Sequence, residues 1–293
     1  MLTIASLIAN PGNPVLTPTL AARVASALPG AQSPVFLAEG IAADIAFTGP
    51  AERKAALAAL DGAPVDLNFL PSEGRRKKLL LADMDSTMIE QECVDELADL
   101  VGLKEPVAEI TERTMRGELD FEPALIERVA LLKGLPLDSV DRLSRERITD
   151  MPGGHTLIAT MRAHGAYTAL VSGGFTLFTA AVARRIGFDE HRANSLGVED
   201  GALSGTVERP ILGREAKRDT LIELRMAHGL GARDTLAVGD GANDLAMLSE
   251  AGLGVAFRAK PAVAEAADAR IDYGDLTALL YLQGYRSDEF RLT

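Results

Sequence analysis

Two periodicities alternate along the chain, and they divide it. From the start, strand-like runs at Leu2 to Ala9, Val35 to Glu39, Ile41 to Phe47 and Val65 to Leu70 are interleaved with helical stretches at Thr17 to Leu28 and Glu52 to Leu60. The order is βαββαβ, the split-βαβ or ferredoxin-like arrangement of a small α+β unit. PSEGRRKK (Pro71 to Lys78) then breaks the pattern with Pro, Gly and a burst of basic residues, so we divide the chain into residues 1–72 and 73–293. Beyond this point short apolar runs end in polar residues: Lys78–Ala82 leads into Asp83, Tyr167–Val171 into Ser172 and Thr235–Gly239 into Asp240. Near-continuous apolar strands separated by helical segments predict a Rossmann-like α/β core, a parallel sheet covered on both faces. Ligands of such sheets bind at the carboxyl ends of the strands, where these three polar residues fall. A long, mostly helical insertion, about residues 89–150, reads as a cap over that edge. A second, Arg192 to Pro210, carries an Asp-Gly hairpin turn at Glu199-Asp200-Gly201.

Composition narrows the function. With 293 residues and 47% hydrophobic content the chain buries a large core, which excludes a disordered or fibrous protein. A net charge of −12, no Trp and only 4% aromatics remove the basic surface and stacking platforms that nucleic-acid binding draws on. A small-molecule partner is expected, and if it is anionic the site must supply its own positive groups. The single cysteine, Cys93, allows no internal disulfide and suits a reducing compartment. The opening MLTIASLIANPGNP lacks a basic n-region and cleavage site, and no apolar run approaches the ~20 residues of a membrane span. The expected setting is cytoplasmic, with no membrane partner.

Candidate chemistry gathers at the strand ends. In extended backbone Asp83 and Asp85 of Asp83-Met84-Asp85-Ser86-Thr87 project from the same side, and two close carboxylates suit a site holding a cation or a shared proton. A calcium loop fails, because its sixth and twelfth positions hold Met88 and Val94. Asp240 and Asp244, in Gly239-Asp240-Gly241-Ala242-Asn243-Asp244, add hard oxygen ligands that favour Mg²⁺. As a dinucleotide fingerprint this segment is weak, since Asp244 stands where a Gly is needed. Ser172-Gly173-Gly174 can cradle phosphate oxygens with a hydroxyl and bare N–H groups; taken alone it is equally an ordinary turn. Lys217 offers a fixed positive charge, although a lone Lys ordinarily faces solvent. Phe121, Leu125, Arg128 and Leu132 share one helical stripe, where a guanidinium is costly unless an anion meets it or its head reaches water. Glu92 shares a predicted face with Asp95, Glu96 and Asp99, the mark of a solvated helix face, and Cys93 falls on the apolar side with Ile89 and Leu97.

DMDST, VSGG, Lys217 and GDGANDLAML, in this order across about residues 78–290, resemble the four motifs of the haloacid dehalogenase (HAD) superfamily. TMRGELDFEPALIERVALLKGLP and RANSLGVEDGALSGTVERPIL are similar to the cap and hairpin of the phosphoserine phosphatases within it. The resemblance implies a Mg²⁺-dependent phosphoric monoester hydrolase that turns O-phospho-L-serine into serine and phosphate, the last step of serine synthesis. It implies that Asp83 is the nucleophile and Asp85 the acid and base. It places the metal among Asp83, the Asp85 carbonyl, Asp240 and Asp244, and gives Ser172, Gly173, Lys217 and Asn243 to the phosphoryl group. Arg128 would take the substrate carboxylate and Glu92 its ammonium group, with Met115 and Phe121 closing over it. The first unit is similar to ACT-type modules that bind amino acids, although it holds no site motif; a regulatory, packing or homodimerising role is expected of it. The rivals are a phosphatase or phosphotransferase for another small phosphomonoester, and an idle amino-acid sensor. Asp85 argues against a dehalogenase or a phosphoaspartyl pump.

Overall fold

The computed structural model describes residues 2–115 and 118–292, without the side chains of residues 112, 114 and 115. Its first 71 residues run β1 (Thr3–Ala9), α1 (Pro18–Ser26), β2 (Val35–Ala38), β3 (Ala42–Phe47), α2 (Arg53–Leu60) and β4 (Val65–Pro71). Thr17 caps α1 by accepting from Leu20 N, and Pro18 occupies its first turn, where no N–H is required. The four strands form an antiparallel sheet in the order β2-β3-β1-β4, the ferredoxin-like arrangement expected from the pattern. One face is apolar: Ala5, Leu7, Ile45, Phe47 and Leu67 pack against Val24 and Leu60 of the helices. The opposite face carries Ser6, Asp44 and Asn68 in register, with Asp66 beside them, and all four are buried against the rest of the chain.

The remainder holds β5 (Leu79–Ala82), then α3 (Cys93–Leu100), α4 (Lys104–Met115), α5 (Phe121–Ala130) and α6 (Leu137–Glu146) of the cap. Next come α7 (Gly154–Ala163), β6 (Tyr167–Phe175), α8 (Thr176–Ile186), β7 (Glu190–Asn194), and the hairpin β8 (Leu196–Glu199) and β9 (Ala202–Val207). The chain closes with α9 (Arg214–Ala227), β10 (Thr235–Gly239), α10 (Leu245–Glu250), β11 (Gly254–Phe257), α11 (Pro261–Ala266), β12 (Ala269–Ile271) and α12 (Ala278–Leu282). Six parallel strands lie in the order β12-β11-β10-β5-β6-β7. β5 is buried on both faces: Leu80 and Ala82 point to the cluster with Leu157, Phe178 and Leu279, while Leu79 and Leu81 point to Leu221, Leu224 and Met247. Each fully buried Leu of this kind contributes about 1.5–3 kcal/mol, and β5 therefore reads as a near-continuous apolar run.

The three strands recognised by pattern, β10, β5 and β6, are neighbours at the centre of the sheet, so Asp240, Asp83 and Ser172 share its carboxyl edge. The cap returns beside its own departure point. Ile89 bridges Asp150, Glu90 N donates to Thr149 O, and Met151 N donates to Met88 O. Asp200 and Gly201 both take positive φ (49° and 77°), so the Asp-Gly turn closes the hairpin as its residues predict. That hairpin supports the cap: Gly134 N donates to Leu203 O and Leu203 N to Leu135 O.

Candidate active site

Asp83 follows β5, and its backbone N–H is held by Val238 O of the adjoining strand. Asp244 is brought to the same point by the turn after β10. Its carboxylate accepts from Gly241 N and folds so close to Gly239 that a Cβ there would lie 2.4 Å from Asp244 Oδ2, so only glycine fits. Carboxylate oxygens of Asp83, Asp240 and Asp244 all lie within 4.8 Å of one another. Lys217, delivered by the first turn of α9, is 2% exposed and donates from Nζ to Asp83 Oδ1 (2.5 Å) and Asp244 Oδ1 (2.6 Å). The ordinary solvated reading of a lone lysine therefore does not apply.

The electrostatics follow from three buried acids and one cation. Burial, and then repulsion by Asp244, raise the Asp83 pKa well above the carboxylate range, with Lys217 opposing. Burial and Asp244 likewise push Asp240 up to about 6. Burial disfavours the Lys217 ammonium, but Asp83 and Asp244 overcome it and raise its pKa. If all three acids are ionised the cluster keeps two uncompensated negative charges, and its donors are hard oxygens. That donor set fits a divalent cation.

Asp85 is turned away from this cluster. Its Oδ1 accepts from Cys93 N, at the start of α3, and its Oδ2 accepts from Ser172 Oγ at 3.1 Å. The Asp85 carboxylate is thus absent from the cluster of Asp83, Asp240 and Asp244. Ser172 Oγ also accepts from Gly174 N, and a Cβ on Gly174 would sit 3.0 Å from that hydroxyl. β6 extends beyond the pattern-based end to Phe175, with an irregularity after Val171 that turns Ser172–Gly174 toward the site.

A cavity of about 300 Å³ joins these groups to the cap and is lined by Asp83, Asp85, Glu92, Phe121, Arg128 and Ser172, with Gly173, Asp240 and Asn243 also at its wall. Phe121 reaches within 3.3 Å of the position a Cβ on Gly173 would occupy, so cap and core meet over the strand ends. Arg128 donates Nε to Ala124 O of its own helix, the one hydrogen bond of its guanidinium among the described residues. Burial lowers its pKa, against the pull of Asp95 and Glu92. Glu92 is not on a helix face: it is the residue before α3, its backbone extended, and Oε1 accepts from Ser86 Oγ at 2.7 Å. Desolvation and the nearby Asp85 push its pKa up to about 7. Cys93 is buried, as its place beside Ile89 and Leu97 implies. Lys217 and Asp244 lie behind the cavity wall, and the Met115 side chain falls outside the described residues.

Three residues of the site escape sequence reasoning. Asn194, 1% exposed at the end of β7, donates to Gly173 O and Leu212 O and accepts from Leu212 N, which fixes the Ser172–Gly174 turn. Asp95 and Lys260 line the cavity. Nothing in their local sequence marks them, because burial of Asn194 and proximity of Asp95 and Lys260 exist only after folding.

The haloacid dehalogenase-like hydrolase family matches residues 80–249, and the chain belongs to it. Within that class, a phosphoserine phosphatase of Albidiferax ferrireducens is 48% identical over 210 residues, 70% of this chain and 89% of the relative. Among solved structures, a HAD family hydrolase from Salmonella enterica subsp. enterica serovar Typhi matches with TM-score 0.84 and 28% identity, over 98% of this chain and 99% of its own. A phospho-aspartyl intermediate analogue of a phosphoserine phosphatase is 42% identical with TM-score 0.65, over 70% of this chain and 98% of its own.

Proposed function

We propose that this chain hydrolyses O-phospho-L-serine to L-serine and phosphate through an aspartyl-phosphate on Asp83. The observation that carries the substrate is the placement of Arg128 and Glu92, opposite in charge, in one small cavity with Asp83 and Asp85. A molecule bearing a carboxylate, an ammonium group and a phosphate finds a partner for each.

Asp83 Oδ attacks phosphorus while the bond to the serine oxygen breaks, which splits one hard displacement into two steps. Asp85, oriented by Cys93 N and Ser172 Oγ, gives a proton to the departing hydroxyl and then takes one from the water that cleaves the acyl-phosphate. Asp83 must be ionised to attack, and Lys217 favours that state at 2.5 Å. Ser172, Gly173 and Asn243 line the cavity beside Asp83 and would neutralise charge on the phosphoryl oxygens. Asp83, the Asp85 carbonyl, Asp240 and Asp244 would hold Mg²⁺, which when bound neutralises charge on the nucleophile and the phosphoryl group. Phe121 brings the cap against the Ser172–Gly174 segment on one side of the cavity.

The single buried cysteine supports a cytoplasmic setting. The separate helix-packed core of the first unit supports a division near residue 72, and its ferredoxin-like order an ACT-like regulatory or oligomerising role. The open outer edge of β2 is the part suited to a homodimer. No helix among the described residues is long and apolar enough to cross a membrane. The test is phosphate release from a panel of phosphomonoesters with Mg²⁺ and with chelator. Phosphoserine should lead the panel and chelator should stop turnover; a preference for a substrate without carboxylate and ammonium overturns the reading.

A further inference from the structure

The N-terminal sheet ends in an edge strand, β4, and the catalytic sheet ends in another, β12. An unpaired edge leaves backbone donors and acceptors that must find partners when buried. Here side chains supply them. Asn68 Nδ2 donates to Arg270 O (2.9 Å) while Asn68 Oδ1 accepts from Arg270 N (2.8 Å), the two bonds a further strand would have made. Asp66 accepts from three successive amides, Asp272 N (2.8 Å), Tyr273 N (3.2 Å) and Gly274 N (2.9 Å). Asn68 and Asp66 are 1% and 4% exposed, so these bonds are made away from water.

The segment they grip leads to the active site. Ile271 O accepts from Arg258 N (2.7 Å), and Gly274 O accepts from Arg258 Nη2 (3.3 Å). Arg258 takes a φ of +45°, a conformation that a side-chain-bearing residue keeps only when its surroundings enforce it. Two residues on, Lys260 N donates to Asp240 O, and the Lys260 side chain lines the catalytic cavity. Lys260 is exposed, so it places a positive charge at the mouth of a site that an anion must enter against a net charge of −12.

We infer that Asp66 and Asn68 are positioning residues for substrate capture: the N-terminal unit grips residues 270–274, and through Arg258 sets the loop that presents Lys260 beside Asp240. The inference rests on the phosphatase reading of the site. It makes the N-terminal unit part of the catalytic mouth.

The experiment compares the full chain with Asn68→Ala, Lys260→Ala and the double variant, using phosphoserine and p-nitrophenyl phosphate at low and high salt. Each single variant should raise KM about 3- to 10-fold with kcat within about twofold, and flatten the salt dependence of kcat/KM. In the Lys260→Ala background, Asn68→Ala should change KM by less than about twofold, because both act through one group. Amide exchange at Arg270 and Gly274 should speed up in Asn68→Ala. Should Asn68→Ala unfold the chain, Asp66→Asn, which keeps the shape but turns an N–H₂ group toward backbone N–H groups, carries the same expectations. Independent effects in the double variant, or a lowered melting temperature with unchanged KM and salt slope, overturn the inference. A parent chain that hydrolyses p-nitrophenyl phosphate but not phosphoserine sinks the substrate reading alone, and the clamp is then read on p-nitrophenyl phosphate.

Discussion

Replacing Arg128 with lysine keeps the positive charge in the cavity and removes the planar fork, so it asks whether a carboxylate is bound there. In the structure the guanidinium spends one N–H, on Ala124 O of its own helix, and makes no other hydrogen bond among the described residues, which leaves N–H groups to meet a ligand. An ammonium on a flexible stem can meet a carboxylate, but not with two parallel bonds. Losing one charge-assisted hydrogen bond costs about 1.5–3 kcal/mol, roughly a 10- to 150-fold fall in kcat/KM for phosphoserine. Phosphoethanolamine, with amine and phosphate but no carboxylate, should be a poor substrate already and should fall by less than about threefold. The fold should hold, since the bond to Ala124 O adds only about 1 kcal/mol to one helix. The assay is steady-state phosphate release with both substrates, read as kcat/KM because that ratio refers each variant to free enzyme and free substrate. An equal fall for both substrates would refute the reasoning, and Arg128 would then be a packing residue of α5.

Asp83→Asn should abolish turnover and leave no residue able to trap the phosphoryl group, while the melting temperature stays level or rises because one of three crowded acids is gone. Glu92→Gln should penalise phosphoserine and spare phosphoglycolate, which has no ammonium group; kcat/KM for the pair decides it. The Asp240 pKa, raised from 3.8 to about 6 chiefly by burial, means the metal-free fold favours its protonated form. Its contribution to stability is therefore whole below about pH 4 and lost as pH rises through about 6, on the order of 3 kcal/mol. The gain in melting temperature on adding Mg²⁺ should accordingly be small at pH 5 and large at pH 7.5, and a gain independent of pH would count against Asp240 as a ligand. A chain starting near Ser72 keeps every catalytic group but uncovers the β12 edge and the surface of α12, so it should bind hydrophobic dye and associate, as light scattering will show.

Much of the architecture was readable from pattern because the periodicity and the burial agree. β5 and β10 are buried on both faces and appear as unbroken apolar runs; α1 announces itself with Thr17 and Pro18; the Asp200–Gly201 turn needs two positive φ angles and has residues that tolerate them. Asp83, Asp85, Ser172 and Asp240 were legible for the same reason, each standing where an apolar run stops, although β6 itself continues past Ser172 to Phe175. Glu92 misled the periodicity, since a residue just before a helix continues the helix's polar spacing without sharing its geometry.

What remained hidden depends on contacts between distant segments. The polar face of the N-terminal sheet, with Ser6, Asp44, Asp66 and Asn68, carries the alternation of a strand wetted on one side, yet it is buried. Arg75 pairs with Asp44 and donates to Tyr281 O and Leu282 O, while Asp66 and Asn68 satisfy the edge of β12 some 200 positions away. Lys217 looked like any surface lysine until α9 placed its ammonium between Asp83 and Asp244. Local chemistry decides which residues can form a strand, a turn or a cap, because those preferences act over a few bonds. Whether a polar side chain meets water or a partner depends on which segments the fold brings together, and no stretch of chain carries that information alone.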